Sequence, residues 1–219
     1  MKKFFLFILF IPTFAMSKGI HNNQIKLQIG GIFGDTAFDE YSTDFYGTFK
    51  IKGVLFVEDD LYFIADVEND WAEYKDQNNS IDLYIDSLLF RIGIGGEFNI
   101  DSNFSVFSET MFGSGIGDID ISFPQQAGKI TYEFDILNIV IILGMRGIAE
   151  QLLWEVALDY NTTRINYEDN IFQSEVDSGF SIHGNLGYKL SENFSIGTNL
   201  NTDFSLYRAT GSIAYHFWN

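Results

Sequence analysis

Alternation of apolar and polar residues is the feature of this sequence that most constrains its fold. It is clearest near the C-terminus, where apolar residues occupy every second position from Tyr207 to Phe217 and polar residues fill most of the gaps. A period of two places successive side chains on opposite faces of a β-strand. The pattern recurs along the chain, so the sequence predicts an all-β protein whose strands have one apolar face and one polar face.

Ten segments have this strand pattern. They span residues 25–33, 44–57, 61–69, 82–98, 104–113, 130–146, 152–161, 179–190, 194–202 and 206–217. Both prolines, Pro12 and Pro124, lie outside them, as an uninterrupted hydrogen-bond ladder requires. We therefore predict ten strands, and eight is the alternative if the first or ninth segment is not a full strand. One irregularity stands out: alternation fails around Leu137 and Asn138, where we expect a β-bulge.

The segments between the strands alternate in length. Residues 58–60, 99–103, 147–151 and 191–193 form short turns, whereas 34–43, 70–81, 114–129 and 162–178 form long polar loops. Short turns on one side and long loops on the other are typical of transmembrane, antiparallel, up-and-down β-barrels of the bacterial outer membrane. This topology predicts that both termini are periplasmic and that four acidic loops are external.

The N-terminus carries the pattern of a secretory signal peptide. Lys2 and Lys3 precede an almost wholly apolar run of eleven residues, and small residues follow at Ala15 and Ser17. That run is shorter than the roughly 20 residues of a membrane-spanning helix. We predict a signal peptide over residues 1–17 and one barrel domain over residues 18–219, the alternative being a buried N-terminal helix or a retained anchor. The chain has no cysteine, so a closed hydrogen-bonded barrel rather than disulfides would supply stability.

Charged side chains concentrate on the polar faces of the predicted strands. They face either water outside a secreted soluble β-protein, such as a lipocalin-like barrel, or the lumen of a membrane barrel. Basic and acidic residues balance on these faces, which favours the lumen because buried charges must pair. The predicted lumen network is Lys26, Lys50, Lys52, Asp66, Glu68, Arg91, Glu97, Glu109, Arg146, Glu155, Asp159, His183, Lys189 and Arg208.

Aromatic residues concentrate near both ends of the strands. Phe98, Phe104, Trp154, Tyr188, Phe194 and Phe217 lie at the short-turn end, and Phe33, Phe45, Phe112, Tyr160 and Phe180 lie at the loop end. Two such girdles suit the two interfaces of a bilayer, whereas a soluble core gives no reason to sort aromatics by height. The girdles therefore also favour a membrane barrel.

With its signal segment, alternating strands, turn rhythm and aromatic C-terminal strand, the chain resembles the small outer-membrane barrels of Gram-negative bacteria, the OmpA-like and opacity-type group. The resemblance implies residence in the cell outer membrane and contact with its lipid and lipopolysaccharide. It also implies that the barrel-assembly machinery reads the C-terminal strand during insertion. Host or envelope ligands would bind at the loops.

Catalytic patterns known from barrel enzymes do not match. Lipid A deacylases of this class carry His-x-Ser on one strand, but here Asn185 stands two residues after His183. A Ser87–His183 pair would need strands that lie nearly opposite each other to come within hydrogen-bond reach. Omptin-type proteases pair aspartates with an Asp-x-His at the rim, and Asp118 and Asp120 have no matching histidine. We therefore expect no enzyme activity and no catalytic residues.

Metal, cofactor and nucleic-acid binding are also not expected. Asp118 and Asp120 could join the loop carboxylates in a calcium site, but no spacing matches a known calcium loop. Those loop carboxylates are Asp35, Asp39 and Glu40. The formal net charge of −17 argues against nucleic acid as a partner.

Barrel size limits the function further. Barrels of about eight strands are filled by side chains, whereas diffusion pores use roughly 16. We expect a structural or surface-interaction role with a lumen plugged by ion pairs. A lipid-modifying enzyme that uses His183 and a narrow porin-like channel are the alternatives.

Overall fold

A computed structural model describes residues 23–34, 41–58, 60–76, 81–123, 128–167, 174–203 and 206–217. The predicted signal peptide, residues 1–17, lies outside them. Within this part of the chain ten strands form, without helices. They are β1 (Gln24–Gly34), β2 (Tyr41–Glu58), β3 (Leu61–Asp76), β4 (Asp82–Asn99), β5 (Phe104–Phe123), β6 (Gly128–Ala149), β7 (Leu152–Tyr167), β8 (Glu175–Lys189), β9 (Phe194–Thr202) and β10 (Leu206–His216). No helix in the described ranges is long and apolar enough to cross a membrane.

The strands close into one antiparallel up-and-down barrel. Each strand pairs with its neighbours in sequence, and β1 pairs with β10, with Ile25 opposite Tyr215 and Phe33 opposite Tyr207. The predicted all-β fold and the count of ten strands are confirmed, because the first and ninth segments both form full strands.

The barrel is inside out relative to a soluble protein. Its outer surface carries large apolar side chains, such as Ile94 at 55 % exposure and Phe98 at 68 % exposure, while Asp66, Glu97 and Arg146 point inward and are almost completely buried. Water on both sides would penalise this arrangement, whereas hydrocarbon outside satisfies it. The fold is therefore a transmembrane barrel with an apolar belt.

Aromatic rings flank this belt at both ends. At the short-turn end Phe104 stacks with Trp154 at 5.8 Å between ring centroids, and Phe194 contacts Tyr215 at 5.0 Å. At the other end Tyr160 and Phe180 contact each other at 5.0 Å. The side chains of Phe33 and Phe45, assigned to this second girdle, lie outside the described part of the chain.

Much of the sequence predicted as long loops is strand. β3 continues to Asp76, β5 continues to Phe123 and β7 continues to Tyr167. Strands β2 to β8 therefore have 15 to 22 residues, whereas β9 has 9 and β1 and β10 have 11. About 9–11 residues cross a membrane, so the seven longer strands extend past the apolar belt. We name this extension the crown: residues 41–46, 69–76, 82–87, 117–123, 128–136, 161–167 and 175–179.

The β-bulge predicted at Leu137 and Asn138 does not form. β6 pairs in unbroken register with both β5 and β7, and register shifts occur instead on β2, between Thr43 and Phe45 and between Phe56 and Glu58. Alternation fails in the sequence because the environment of β6 changes along its length. Within the belt its outer residues are apolar, and in the crown its outer residues are polar or charged.

Candidate functional site: the charged lumen

The lumen is the most highly charged interior region of the described structure. Register and burial place all fourteen predicted lumen residues on the inner faces of their strands. Their side chains do not form one uniform network. Twelve of them divide into an upper cluster beneath the crown, a lower cluster near the short turns, and a histidine site between β7 and β8, while Lys26 and Lys189 lie on a separate polar wall.

The upper cluster is centred on Arg91 of β4. Its Nε donates to Asp66 Oδ1 at 2.8 Å, and its Nη2 donates to Glu68. Lys50 Nζ lies 3.2 Å from carboxylate oxygens of both acids. Arg208 of β10 pairs with Glu68 and also reaches Asp70 Oδ2 at 3.2 Å. The cluster therefore ties β2, β3, β4 and β10 together across the lumen.

Asp70 is a member of this cluster that the sequence analysis missed. It shares a face of β3 with Asp66 and Glu68 because the three residues are spaced by two. This spacing could have identified Asp70, but the strand was predicted to end at residue 69.

The lower cluster surrounds the buried guanidinium of Arg146 on β6. Its Nη2 donates to Glu97, which also accepts a hydrogen bond from Ser105 Oγ. The guanidinium carbon lies 4.6 Å from the ring centre of Phe107 and 5.3 Å from that of Tyr62. This cation is therefore stabilised by a carboxylate and by two aromatic faces.

Tyr62 links the lower cluster to a second ion pair. Its hydroxyl donates to Glu109 Oε1 at 3.0 Å, and Lys52 Nζ lies 3.0 Å from Glu109 Oε2. Tyr62 is fully buried. Its role was not predicted from the sequence, because an uncharged aromatic residue does not indicate membership of an ion-pair network.

The histidine site holds His183 between two carboxylates. Its Nδ1 lies 2.7 Å from Asp159 Oδ2, and its Nε2 lies 3.2 Å from Glu155 Oε1. Glu155 also lies 3.8 Å from Arg146, which joins this site to the lower cluster. Because both ring nitrogens face carboxylates, the geometry does not present His183 as a general base for Ser87 on β4.

Strands β8, β9, β10 and β1 form a polar wall that combines amide and hydroxyl side chains with basic ones, among them Lys26 and Lys189. Lys26 Nζ donates to Asn199 Oδ1 at 2.8 Å, and Asn199 in turn donates to Thr210. Lys189 lies at the short-turn end of this wall. A cavity of about 50 Å³ separates the wall from the lower cluster, and polar spaces of this kind hold a few ordered waters.

The outer face of the crown carries the acidic excess. Asp86, Asp118 and Glu133 stand side by side on β4, β5 and β6. Partial burial and the neighbouring carboxylates of Asp120 and Asp86 raise the pKa of Asp118. Partial burial acts in the same direction on Asp120, but hydrogen bonds from Lys129 and Thr131 outweigh it and hold the pKa of Asp120 below its usual value.

In the described ranges, no three histidine, aspartate or glutamate side chains are arranged to hold a metal ion. Asp35, Asp39 and Glu40 lie outside those ranges. Asp120 is instead bound by Lys129 Nζ at 2.7 Å and by Thr131 Oγ1 at 2.6 Å.

Several solved structures have a similar backbone, among them two autotransporter domains and an outer-membrane protease. The translocator domain of the autotransporter NalP from Neisseria meningitidis is 12 % identical in sequence and has a TM-score of 0.53. The match covers 90 % of this chain and 88 % of that chain. The transport unit of AIDA-I from Escherichia coli has 10 % identity, 90 % of both chains and a TM-score of 0.53. The outer-membrane protease OmpT from Escherichia coli has 10 % identity, 90 % and 97 % coverage, and a TM-score of 0.54.

The chain has the fold of a bacterial outer-membrane β-barrel. At these identities the likeness concerns the fold alone, and the activities of those proteins do not transfer. No family model matches the chain, and no curated protein matches it. The narrower OmpA-like name therefore stays a prediction.

Proposed function

We propose that this protein is a surface-interaction barrel of the bacterial outer membrane, anchored by its belt, closed by its lumen ion pairs and displaying the crown outside the cell. The observation that carries the proposal is the set of ion pairs that cross the lumen. Arg208 on β10 reaches β3, Lys52 on β2 reaches β5, and Arg146 on β6 reaches β4. A solute would have to separate charges that are largely excluded from water, which is costly.

Conductance measurements test the closed lumen. Protein reconstituted in a planar bilayer is expected to show no conductance steps, and Arg164→Ala, which changes an exposed side chain on the outer face of the crown, is expected to behave identically. Steady steps from the unmodified protein would contradict a closed lumen and favour the narrow-channel alternative.

Electrophoresis tests the location and the barrel fold. We expect the protein in the outer-membrane fraction, with a mobility that differs between unheated and boiled samples because a closed barrel resists detergent unfolding. Recovery of the mature chain in the soluble fraction without detergent would overturn the membrane assignment.

Lipopolysaccharide is the surface partner that the membrane itself would supply. The acidic row of Asp86, Asp118 and Glu133 would repel its phosphates, so we propose that divalent cations bridge the two surfaces. Chelation should then weaken co-purification of lipopolysaccharide with the protein. In the double variant Asp118→Asn, Glu133→Gln, this co-purification should be less sensitive to chelator. Binding that is indifferent to chelator would contradict this partner.

The lipid-modifying alternative rests on His183 and has weak geometric support. Both of its ring nitrogens face carboxylates. Replacement by alanine should leave the lipid A and phospholipid profiles of the cell unchanged. A changed profile with unchanged barrel abundance would revive the enzymatic hypothesis.

A further inference from the structure

The side-chain pattern reverses where β4, β5 and β6 leave the apolar belt. In their crown segments charged residues face outward, while the inner face carries Leu83 and Ile85 on β4, Ile119 and Ile121 on β5, and Phe134 and Ile136 on β6. On β3 and β8 the inner face of the crown keeps an acid, Asp70 and Asp177 respectively. Phe134 and Ile136 are buried, and the other four are half-buried. An apolar surface that faces inward above a membrane is a groove able to receive an apolar ligand.

In the described part of the chain, this groove is open on one side. The β8–β9 ladder ends at Ile182 opposite Thr202, and the β1–β2 ladder ends at Gly31 opposite Gly47. Beyond these pairs, β2 to β8 continue as an open, curved sheet. Among the described residues, the low wall formed by β9, β10 and β1 therefore leaves the half-buried part of the apolar face, on β4 and β5, partly accessible.

The low wall places the open side of the groove next to the membrane. Strands of 9 and 11 residues are just long enough to cross a bilayer. The rim of this wall therefore lies at the outer boundary of the belt, where the acyl chains of the external leaflet meet their headgroups. A lipid chain can pass over this rim from hydrocarbon to the apolar face of the crown.

The floor of the groove favours an anionic headgroup. The upper cluster lies directly beneath the crown, and its cations are more exposed than their partners. The side chains of Lys50 and Arg208 are 23 % and 32 % exposed, whereas those of Glu68 and Asp70 are 6 % and 21 % exposed. The accessible part of the cluster is therefore mainly positive, although its total charge is balanced.

We propose that the crown groove binds the acyl chain of an anionic amphiphile, with the headgroup near Lys50 and Arg208 and the chain along β4, β5 and β6. The inference rests on the proposed membrane location but not on a surface-interaction role. A carboxylate of a free fatty acid and a phosphate of a single-chain lipid share the required chemistry.

Binding is tested with the full barrel in phosphatidylcholine nanodiscs, because detergent would compete for the groove. The fluorescent fatty acid cis-parinaric acid should bind saturably above empty nanodiscs, and its methyl ester should bind more weakly. Leu83→Glu and Ile85→Glu should each weaken binding by ~10-fold or more, since a charge is placed on an apolar surface. Tyr84→Glu is the matched control, because it lies between them on the outer face and should change binding by less than about twofold.

The outcomes distinguish a loss of ligand binding from a failure of the barrel to fold. Heat-modifiable mobility of each variant shows that the barrel has folded, and Ile119→Ser is a milder inner-face variant if a glutamate prevents folding. If oleate displaces cis-parinaric acid but a single-chain phospholipid does not, the ligand is a free fatty acid. If both displace it, the groove recognises the anionic chemistry that the two ligands share. No saturable binding, or equal effects of Leu83→Glu and Tyr84→Glu, would overturn the groove.

Discussion

At the scale of single residues, the lumen shows how a membrane barrel can tolerate buried charge. Arg146 is almost completely buried, yet it has a carboxylate partner in Glu97 and aromatic faces from Phe107 and Tyr62. A buried pair of this kind contributes little compared with an apolar pair, but the loss of one partner leaves an uncompensated charge. Replacement of either residue of such a pair is therefore expected to lower the stability of the barrel.

Arg146→Ala should lower the free energy of unfolding by about 3–5 kcal/mol, because Glu97 would lose its buried counter-ion. Denaturant unfolding of the barrel in lipid vesicles, followed by the gel mobility shift, measures the change. Arg164→Ala is the control, since Arg164 is exposed and bonds to Asn166, two residues away, at 2.9 Å, and it should cost less than about 0.5 kcal/mol. Equal losses for the two variants would contradict the assigned role of Arg146.

Gly144 on β6 is required by close packing. A Cβ at this position would lie 2.6 Å from Ala157 Cβ and 2.6 Å from Phe107 Cζ. Gly144→Val should therefore destabilise the barrel by about 1–3 kcal/mol through overpacking.

The matched control for this prediction is Gly53→Val on the lipid-facing side of β2. There the nearest atom to an added Cβ is Ala65 O at 3.8 Å. The same unfolding measurement should show little loss, and a Gly144→Val barrel as stable as Gly53→Val would show that the lumen can relax.

At the scale of elements, the crown segment of β5 carries two acids with opposite electrostatic roles. The raised pKa of Asp118 means that its charge destabilises the folded crown, and the penalty is relieved as pH falls and the group is protonated. The lowered pKa of Asp120 means that its charge stabilises the crown above the pKa of the unfolded group. That contribution is lost as pH falls through the folded pKa.

Amide hydrogen exchange in β4 and β5 tests this difference in sign. Near neutral pH, Asp118→Asn should increase protection of the crown and Asp120→Asn should decrease it. Both differences should shrink at pH values below about 4, where carboxylates become protonated. Effects of the same sign would show that the Lys129 and Thr131 contacts do not distinguish the two acids.

The strands themselves were predictable wherever one face lies in lipid, because alternation is strongest there. The crown extensions of β3, β5 and β7 were predicted as polar loops, since outward charges such as Glu73, Asp118 and Arg164 interrupt the apolar pattern there. The inner-face residue Ile119, beside Asp118, belongs to the same period-two pattern with its faces exchanged. Recognition of that exchange requires the register, which continues unbroken through the belt and crown.

At the scale of the whole molecule, the barrel wall is uneven in height. The short strands β9, β10 and β1 end at the belt, while β2 to β8 carry the crown. This asymmetry gives the molecule a rigid outer surface made of strand rather than loop. A rigid scaffold presents side chains in fixed positions, which suits a role in binding at the cell surface.

Cysteine labelling tests the orientation, because the chain has no native cysteine. Ser122→Cys, on the crown, should react with a membrane-impermeant maleimide in intact cells. Ser102→Cys, in the turn between β4 and β5, should react only after the outer membrane is permeabilised. The reverse pattern would place the crown in the periplasm and contradict the external position of the proposed surface.

The sequence by itself determined the kind of barrel, its ten strands and the inner face of each strand, because a period of two is a local property that lipid contact enforces. It could not determine which charges meet. Arg208 is 140 positions from Glu68, and Arg146 is 49 positions from Glu97, so only barrel closure and stagger make them partners. The crown groove was also decided by tertiary structure, because the same inward-facing apolar residues acquire that role only where neighbouring strands end.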